Sequence, residues 1–530
     1  MGKSIYIINP NPNVPAYYGG EVFKAMGYAP GVLIADLVIP TVAAFVPKDF
    51  TVQLCDEYIT DIDFDMDVDY VGITGRVDQK KRMIEIAQAF RAKGKVVIMG
   101  GSYVSLSPEV MREHCDILVS GEIEEIAEQL FNDLRDGSYK KEYIGTRPDL
   151  SLSPIPRWDL YPNHRAATGS IQTSRGCPYA CEFCDVIVYL GRKQRHKPIA
   201  QVLTELDLQY AMGYRAVFLS DDNLTVNRTH AKALLTALRD WNKAHADSPV
   251  RFRTQVSTEV VKDSELMQLC AEAGLDQVFV GIESPNKESM KEVKKLQNVK
   301  IEVVEVIKAF YKYGIFPQCG MMVGFGADDK DIFQQQFELA MASFNPYFTL
   351  GVLVAPDATP LYARMEKAGR IEVRDADTPA AVGSFLASSN IIGKNISKAE
   401  MNQGIQWLSS NLYAPKNFAA RFSKMIELLD RRSHPKAATG FLLTEKNHIY
   451  KDMTSVAMKV RNMGEDEKKM WSEIGEKISE KGVVQDLFVT LMFFYAQLRH
   501  LYDVSGVWKP ELTNNPTPWT ESTEPTDGSI

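Results

Sequence analysis

The sequence is short of cysteine, and what it has is unevenly placed. Seven cysteines in 530 residues is an odd number in a long chain, which argues against the disulfide framework that staples small secreted domains. Cys55, Cys115, Cys270 and Cys319 lie among apolar neighbours and read as small core residues. No segment reaches the roughly 18–20 apolar residues of a membrane-spanning helix. The best approaches are 31-GVLIADLVIPTVAAFV-46, broken by Asp36 and Pro40, and the shorter 487-LFVTLMFFYA-496; both read as buried helices. The first residues lack the apolar run and small-residue cleavage site of a secretory signal, so the expected location is the cytoplasm, peripheral to a membrane if the apolar stretches meet lipid. Nor is there a basic excess: net charge is -8, which argues against broad nucleic-acid binding. No repeat of solenoid length is found.

What is there is strand–helix alternation, twice. Residues 1–146 read as strands 3–10, 50–57, 69–75, 95–101 and 115–122 interleaved with helices at 31–46, 78–93, 105–114 and 124–137. Such a pattern predicts an α/β domain, a doubly wound parallel sheet covered on both faces. Ligands in these sheets sit beyond the carboxyl ends of the strands. Those ends carry Asn9, then Thr74, Gly75 and Arg76, then Gly100, Gly101 and Ser102 followed by Tyr103, and last Ser120, Gly121 and Glu122. The plainer reading of these residues is good turn chemistry. Residues 147–166 hold four prolines and read as a linker.

Alternation restarts at 167–360, with strands at 170–176, 215–223, 250–258, 277–284, 316–325 and 347–356. Six strand–helix units predict a partial barrel, with chemistry at the strand C-termini. Residues 361–508 read as a mostly helical domain and 509–530 as a flexible polar tail.

The remaining cysteines, Cys177, Cys181 and Cys184, fall in 176-GCPYACEFC-184, directly after the first strand of the second series. Structural zinc takes four ligands, commonly as paired C-x2-C units, and no second pair exists. His196 is a weak fourth ligand. Thiolates also hold iron–sulfur clusters. Three on a four-iron cube leave one iron open, as a catalytic metal requires.

The C-x3-C-x2-C spacing, after a strand and before a partial barrel, resembles the radical S-adenosylmethionine (SAM) superfamily. The resemblance implies that Cys177, Cys181 and Cys184 ligate a [4Fe–4S] cluster whose open iron chelates SAM. Reductive cleavage of SAM then yields a radical that abstracts hydrogen from an unactivated carbon. An electron donor such as a flavodoxin or ferredoxin is implied. By the superfamily's usual stations, Asp221, Asp222 and Asn223 stand where the SAM amino group is held, although 225-TVNRTH makes a helix cap the plainer reading. Gln255 and Ser257, on one face of a strand, become candidate partners for methionine carboxylate or ribose, and Glu283 stands where a ribose hydroxyl would be held. The basic run 192-RKQRHKP-198 is either a solvated loop or a contact to the cluster or cofactor phosphates.

The first domain, with 97-VIMGGSYVSLSPE-109 and 117-ILVSGEIEE-125, is similar to the cobalamin-binding class of that superfamily, and the rim residues above become its candidate cobalamin site. The D-x-H-x-x-G source of a lower-axial histidine is absent. Segments 324–340, 354–371 and 402–422 resemble a subgroup that includes bacterial hopanoid C-methylases. The implied activity is C-methylation of a small, hydrophobic or lipid-like molecule. A cobalamin-dependent cyclisation or oxidation without methyl transfer, and a cofactor-binding sensor, are the alternatives.

Overall fold

The computed structural model describes residues 2–12, 15–372, 389–435, 449–481 and 485–519. The chain opens with β1 (Ser4–Asn9), whose side chains are almost all buried. A short strand, β2 (Val32–Ile34), follows, then β3 (Thr51–Asp56), β4 (Tyr70–Thr74), β5 (Val96–Gly100), β6 (Ile117–Ser120) and β7 (Glu142–Ile144). All but β2 form one parallel sheet in the order β3-β1-β4-β5-β6-β7. Its core packs on both faces, with Ile5, Ile7 and Ile98 on one side and Tyr6, Ile8, Val71 and Val97 on the other. Two-sided burial is why these strands read as near-continuous apolar runs.

From Ala166 a second sheet begins. Its strands are β8 (Ala166–Ile171), then, past the two-residue pair β9 (Ser174–Arg175) and β10 (Arg195–His196), β11 (Ala216–Leu219), β12 (Arg251–Val256), β13 (Leu275–Glu283), β14 (Phe316–Val323) and β15 (Phe348–Val352). They run parallel in the order β15-β14-β13-β12-β11-β8-β2 and curl into a half-barrel, with β9 and β10 forming a separate antiparallel ribbon.

Two sequence expectations change here. Residues 31–46 are not one helix. Val32 and Ile34 pair with Ala166 and Thr168, giving the half-barrel a seventh strand from the first 35 residues. The break is chemical: the Asp36 carboxylate accepts from the N–H groups of Val38 and Ile39, both at 2.9 Å, and starts the helix Val38–Phe45 only there. The first barrel strand also ends at Ile171 rather than at 176, so the cysteines follow the β9 ribbon and not the strand itself.

Residues 147–166 are packed. Trp158 and Tyr161 are buried, and the Tyr161 hydroxyl donates to Asp56 at the end of β3 at 2.6 Å. The C-terminal helices, Lys398–Leu412, Pro415–Leu428, Ile449–Lys459, Glu465–Lys481 and Gln485–Val504, close the open side of the half-barrel. Tyr450 donates to the Ala167 carbonyl at 2.7 Å, and Gln497 bridges Ala16 and Val22. Of the tail expected to be flexible, 509–519 packs back: Trp407 donates to the Asn515 carbonyl at 3.0 Å, and Trp519 lies against Phe333. Residues 520–530 lie outside the described residues. Among the described residues no helix is long and apolar enough to cross a membrane.

Because Trp158 is buried in the core cluster that also holds Ile5, Val32 and Ala166, Trp158→Ala should cost about 3–5 kcal/mol. Thermal unfolding and limited proteolysis check this: the variant melts earlier and is cut within 147–166, where the native chain resists.

Candidate active site

The three thiols sit on a loop whose shape is set by hydrogen bonds to β11. Asp221, two residues beyond the end of β11, is fully buried. Its carboxylate accepts from the N–H and hydroxyl of Thr173 (2.7 and 2.5 Å) and from the N–H and hydroxyl of Ser174 (both 2.9 Å). Asp222 accepts from Gly176 N–H at 2.8 Å. Gly176 has φ +95°, and a Cβ there would lie 2.7 Å from the Lys193 carbonyl, so only glycine turns the chain into Cys177 at this point. Cys177 N–H then donates to Gly191, and Cys184 N–H to Cys181.

All three cysteines are free thiols. Burial pushes Cys177 upward, and pushes Cys184 to about 12. As bare thiols they would be poor nucleophiles; a bound metal is what would deprotonate them. Among the described residues no group of three or more histidine, cysteine or acidic side chains is placed to hold a single metal ion. The donor set fits a cluster, in which each thiolate binds a different iron.

Around the loop the structure gathers several of the residues singled out by sequence. Asn223 lies beside Cys177, and its buried Oδ1 has no hydrogen-bond partner, an acceptor left open. The Asp222 carboxyl is pushed to about 6 by burial. Ser257 faces the hydroxyl of Tyr179, which itself donates to Glu259 at 2.8 Å. Glu283 ends β13 at φ +62° and pairs with buried Lys295. Burial works to depress Lys295, but Glu283, and then the thiols of Cys181 and Cys184, leave it raised. Neither Lys295 nor Gln297, whose amide lies 3.6 Å from Cys181 Sγ, carries any motif that sequence reading could have used.

Arg192 and Lys193 of the basic run are exposed, while the rest of it makes contacts within the protein. Arg195 binds Glu122, Lys197 binds buried Glu205 at 2.6 Å, Arg192 donates to Pro178, and His196 stacks on His230. Glu122, a rim residue, is thereby tied to the cysteine ribbon: it pairs with Arg175 and Arg195 at 2.5 and 2.6 Å, while Glu124 pairs with Arg175 at 2.7 Å.

The remaining rim residues form close backbone contacts. Gly101 has φ +99°, and its missing Cβ would lie 2.7 Å from Gly75 N and Thr74 Oγ1. Tyr103 N–H donates to Gly75, Ser105 bridges Gly101 and Gly121, and the Ser120 carbonyl accepts from Gly145. Tyr103 is buried under Lys80, and Ser102 starts the helix Ser102–Leu106 after Gly100.

A cavity of about 840 Å3 joins the two sheets. Asn9, Asp56, Arg76 and Asp78 line it from the first sheet; Gln255 and Glu283 line it from the half-barrel; Tyr17, Phe494 and Leu501 cover it. Asp36 and Asp56 meet at its edge. Burial, then the charge of Asp36, pushes Asp56 to about 7. Neither carboxylate was picked out by sequence reading, because they lie twenty positions apart on different elements.

The radical SAM superfamily matches residues 171–338, and a domain of unknown function, DUF4070, matches 359–505. The hopanoid C-2 methylase of Rhodopseudomonas palustris (strain TIE-1) is 31% identical over 360 residues, covering 66% of this chain and 68% of that enzyme. This chain belongs to the radical SAM superfamily. Membership brings a [4Fe–4S] cluster and SAM, as the cysteine loop led us to expect. The uncharacterized methyltransferase sll1242 of Synechocystis (strain ATCC 27184 / PCC 6803 / Kazusa) is 35% identical over 347 residues, 64% of this chain and 64% of that protein, so the alignment spans a little under two-thirds of that relative. Among solved structures, the cobalamin-dependent SAM radical enzyme OxsB, with aqua-cobalamin bound, shares the fold: TM-score 0.59, 14% identity, 97% of this chain and 82% of that one.

Two outcomes check this geometry. Cys181→Ala should abolish the visible absorbance of the anaerobically reconstituted cluster. For Asp56, a carboxyl raised by folding favours the protonated folded state, so its contribution declines as pH rises from about 4 through about 7. Asp56→Asn should therefore flatten the pH dependence of the melting temperature across that window.

Proposed function

We propose that this protein is a C-methyltransferase that uses SAM, a [4Fe–4S] cluster and cobalamin to methylate an unactivated carbon of a hydrophobic, lipid-like small molecule. The observation that carries the reading is the cavity that Asn9 and Arg76, from the rim of the first sheet, share with Gln255 and Glu283 of the half-barrel interior. A one-cofactor radical enzyme has no need of a second, ligand-shaped rim facing its barrel. Support also comes from the hopanoid C-2 methylase, a C-methylating relative, and from the cobalamin in the OxsB structure, which has the same fold.

When bound, the cluster and SAM supply hydrogen abstraction, and cobalamin supplies a transferable methyl group. Cys177, Cys181 and Cys184 would hold the cluster. The Asp221 carboxylate is fully engaged by Thr173 and Ser174, so its part is to position the loop. Asp222 and the open Asn223 oxygen would accept from the SAM ammonium. Gln255, Ser257 and Glu283 remain the candidates for its carboxylate and ribose. Asn9, Thr74, Gly75, Arg76, Gly100, Gly101, Ser102, Ser120 and Gly121 would hold cobalamin. The close Gly101–Gly75 approach gives a flat rim, and no rim residue is a histidine, so the residues fit histidine-free binding. Glu122 and Tyr103 act from behind that rim. Tyr17, Tyr18, Phe494 and Leu501 exclude water, which a carbon radical requires more than it requires acid–base groups. A cytoplasmic location and a flavodoxin- or ferredoxin-type electron donor complete the reading.

The test is SAM labelled in its methyl group, given with reductant to the reconstituted holoenzyme and a lipid extract. Label should enter product carbon, with 5'-deoxyadenosine formed alongside. Release of 5'-deoxyadenosine with no labelled product would replace methyl transfer by a cyclisation or oxidation on the same cofactors.

A further inference from the structure

Barrel interiors are normally packed with layers of branched apolar side chains. In this half-barrel two successive inward layers instead set polar side chains beside a single phenylalanine each, Phe218 and Phe279. In the lower layer, neighbouring strands place Ser170, Arg253 and Gln277 together, joined by the pairings Phe218↔Ser170, Phe218↔Arg253 and Arg253↔Gln277. The layer above brings Ser220, Gln255 and Gln318, and all six side chains line the cavity.

Gln277 and Gln318 are both buried, 3% and 7% exposed. One hydrogen bond joins their amides, from Gln318 Nε2 to Gln277 Oε1 at 3.3 Å. An amide pair joined in this way leaves one N–H2 donor and one carbonyl acceptor side by side, whichever way the two amides are turned. Arg253 adds a buried Nε with no hydrogen-bond partner, and Asp276, 3.8 Å away, offsets its charge. The same cavity is also lined by the apolar side chains of Leu33, Met453, Phe494 and Leu501 and by the ring of Tyr17. Buried polar groups left open to a cavity cost stability unless a ligand satisfies them.

We propose that this floor is a recognition site for an uncharged hydroxyl on an otherwise apolar substrate. A hydroxyl both donates and accepts, so it matches the adjacent amide donor and carbonyl, whereas a carboxylate would meet the open carbonyl unfavourably. Gln277 and Glu283 lie on one strand, six residues apart, or roughly 20 Å at ~3.3 Å per residue. The hydroxyl is therefore held at the far end of the cavity from the cysteine loop, and the carbon presented for reaction lies well away from it. This deepens the proposed function and rests on its hydrophobic substrate.

The experiment measures equilibrium binding of two probes to the holoenzyme: a pentacyclic triterpene alcohol and its parent hydrocarbon, compared by quenching of intrinsic fluorescence in detergent. Native protein should bind the alcohol roughly tenfold more tightly or better, the worth of about one buried hydrogen bond. The near-isosteric variant Gln277→Leu/Gln318→Leu should level the two affinities by weakening only the alcohol; Gln318→Leu alone serves if the double variant does not fold. Equal native affinities, binding of neither probe, or a preference that survives the substitutions would overturn the site. Reductive formation of 5'-deoxyadenosine from SAM is measured in parallel. If that fails while the preference holds, the proposed chemistry falls and the floor stands; if it succeeds without the preference, the floor falls alone.

Discussion

The arrangement hangs on a small buried ion cluster. Glu122 and Glu124 leave the end of β6 in the first sheet, and Arg175 and Arg195 come from the two strands of the ribbon that leads into and out of the cysteine loop. Each side chain is at least four-fifths removed from water, so breaking one partner would strand a charge, at a cost of about 3–5 kcal/mol. The cluster fixes where the rim of one sheet stands relative to the thiols of the other. A second tie, Tyr161 to Asp56, joins the intervening segment to the same rim. With both in place, Asn9, Asp56 and Arg76 of the first sheet and Gln255 and Glu283 of the half-barrel line one cavity.

That cavity explains features that pure stability would not favour. A barrel built only to fold would place valine or leucine where Arg253, Gln277 and Gln318 stand. Glu283 sits at positive φ beside a β-bulge, held by Lys295 and by Gln336, which donates to its carbonyl at 2.8 Å. Strain of this sort persists where the surroundings over-determine it, and it gathers at working sites. The apolar helices of the C-terminal region close the open side and keep water out. The sequence segment 487–496, read as a buried helix, does just this through Phe494.

Much of this was legible beforehand, for identifiable reasons. Strand–helix alternation located every strand of the half-barrel from β11 on but caught only the last two residues of β8, because a two-sided sheet writes itself as apolar runs. The cysteine spacing identified the chemistry, since ligands on one loop are local in sequence. What was lost is what depends on distant pairing. β2 was hidden in an apolar run whose strand character comes only from pairing with Ala166 and Thr168. Trp158 and Tyr161 were hidden by proline-rich composition that resembles a linker. Asp221 looked like a ligand-binding acid, because four hydrogen bonds to a loop 48 residues earlier leave no trace in sequence.

The most direct test of the account is the electron paramagnetic resonance spectrum of the reduced, reconstituted native protein, recorded with and without SAM. Three thiolates on a four-iron cluster with one open iron predict about four irons per chain and a spectrum that changes when SAM binds. A cluster spectrum indifferent to SAM, or thiols that take up zinc in place of iron, would contradict it.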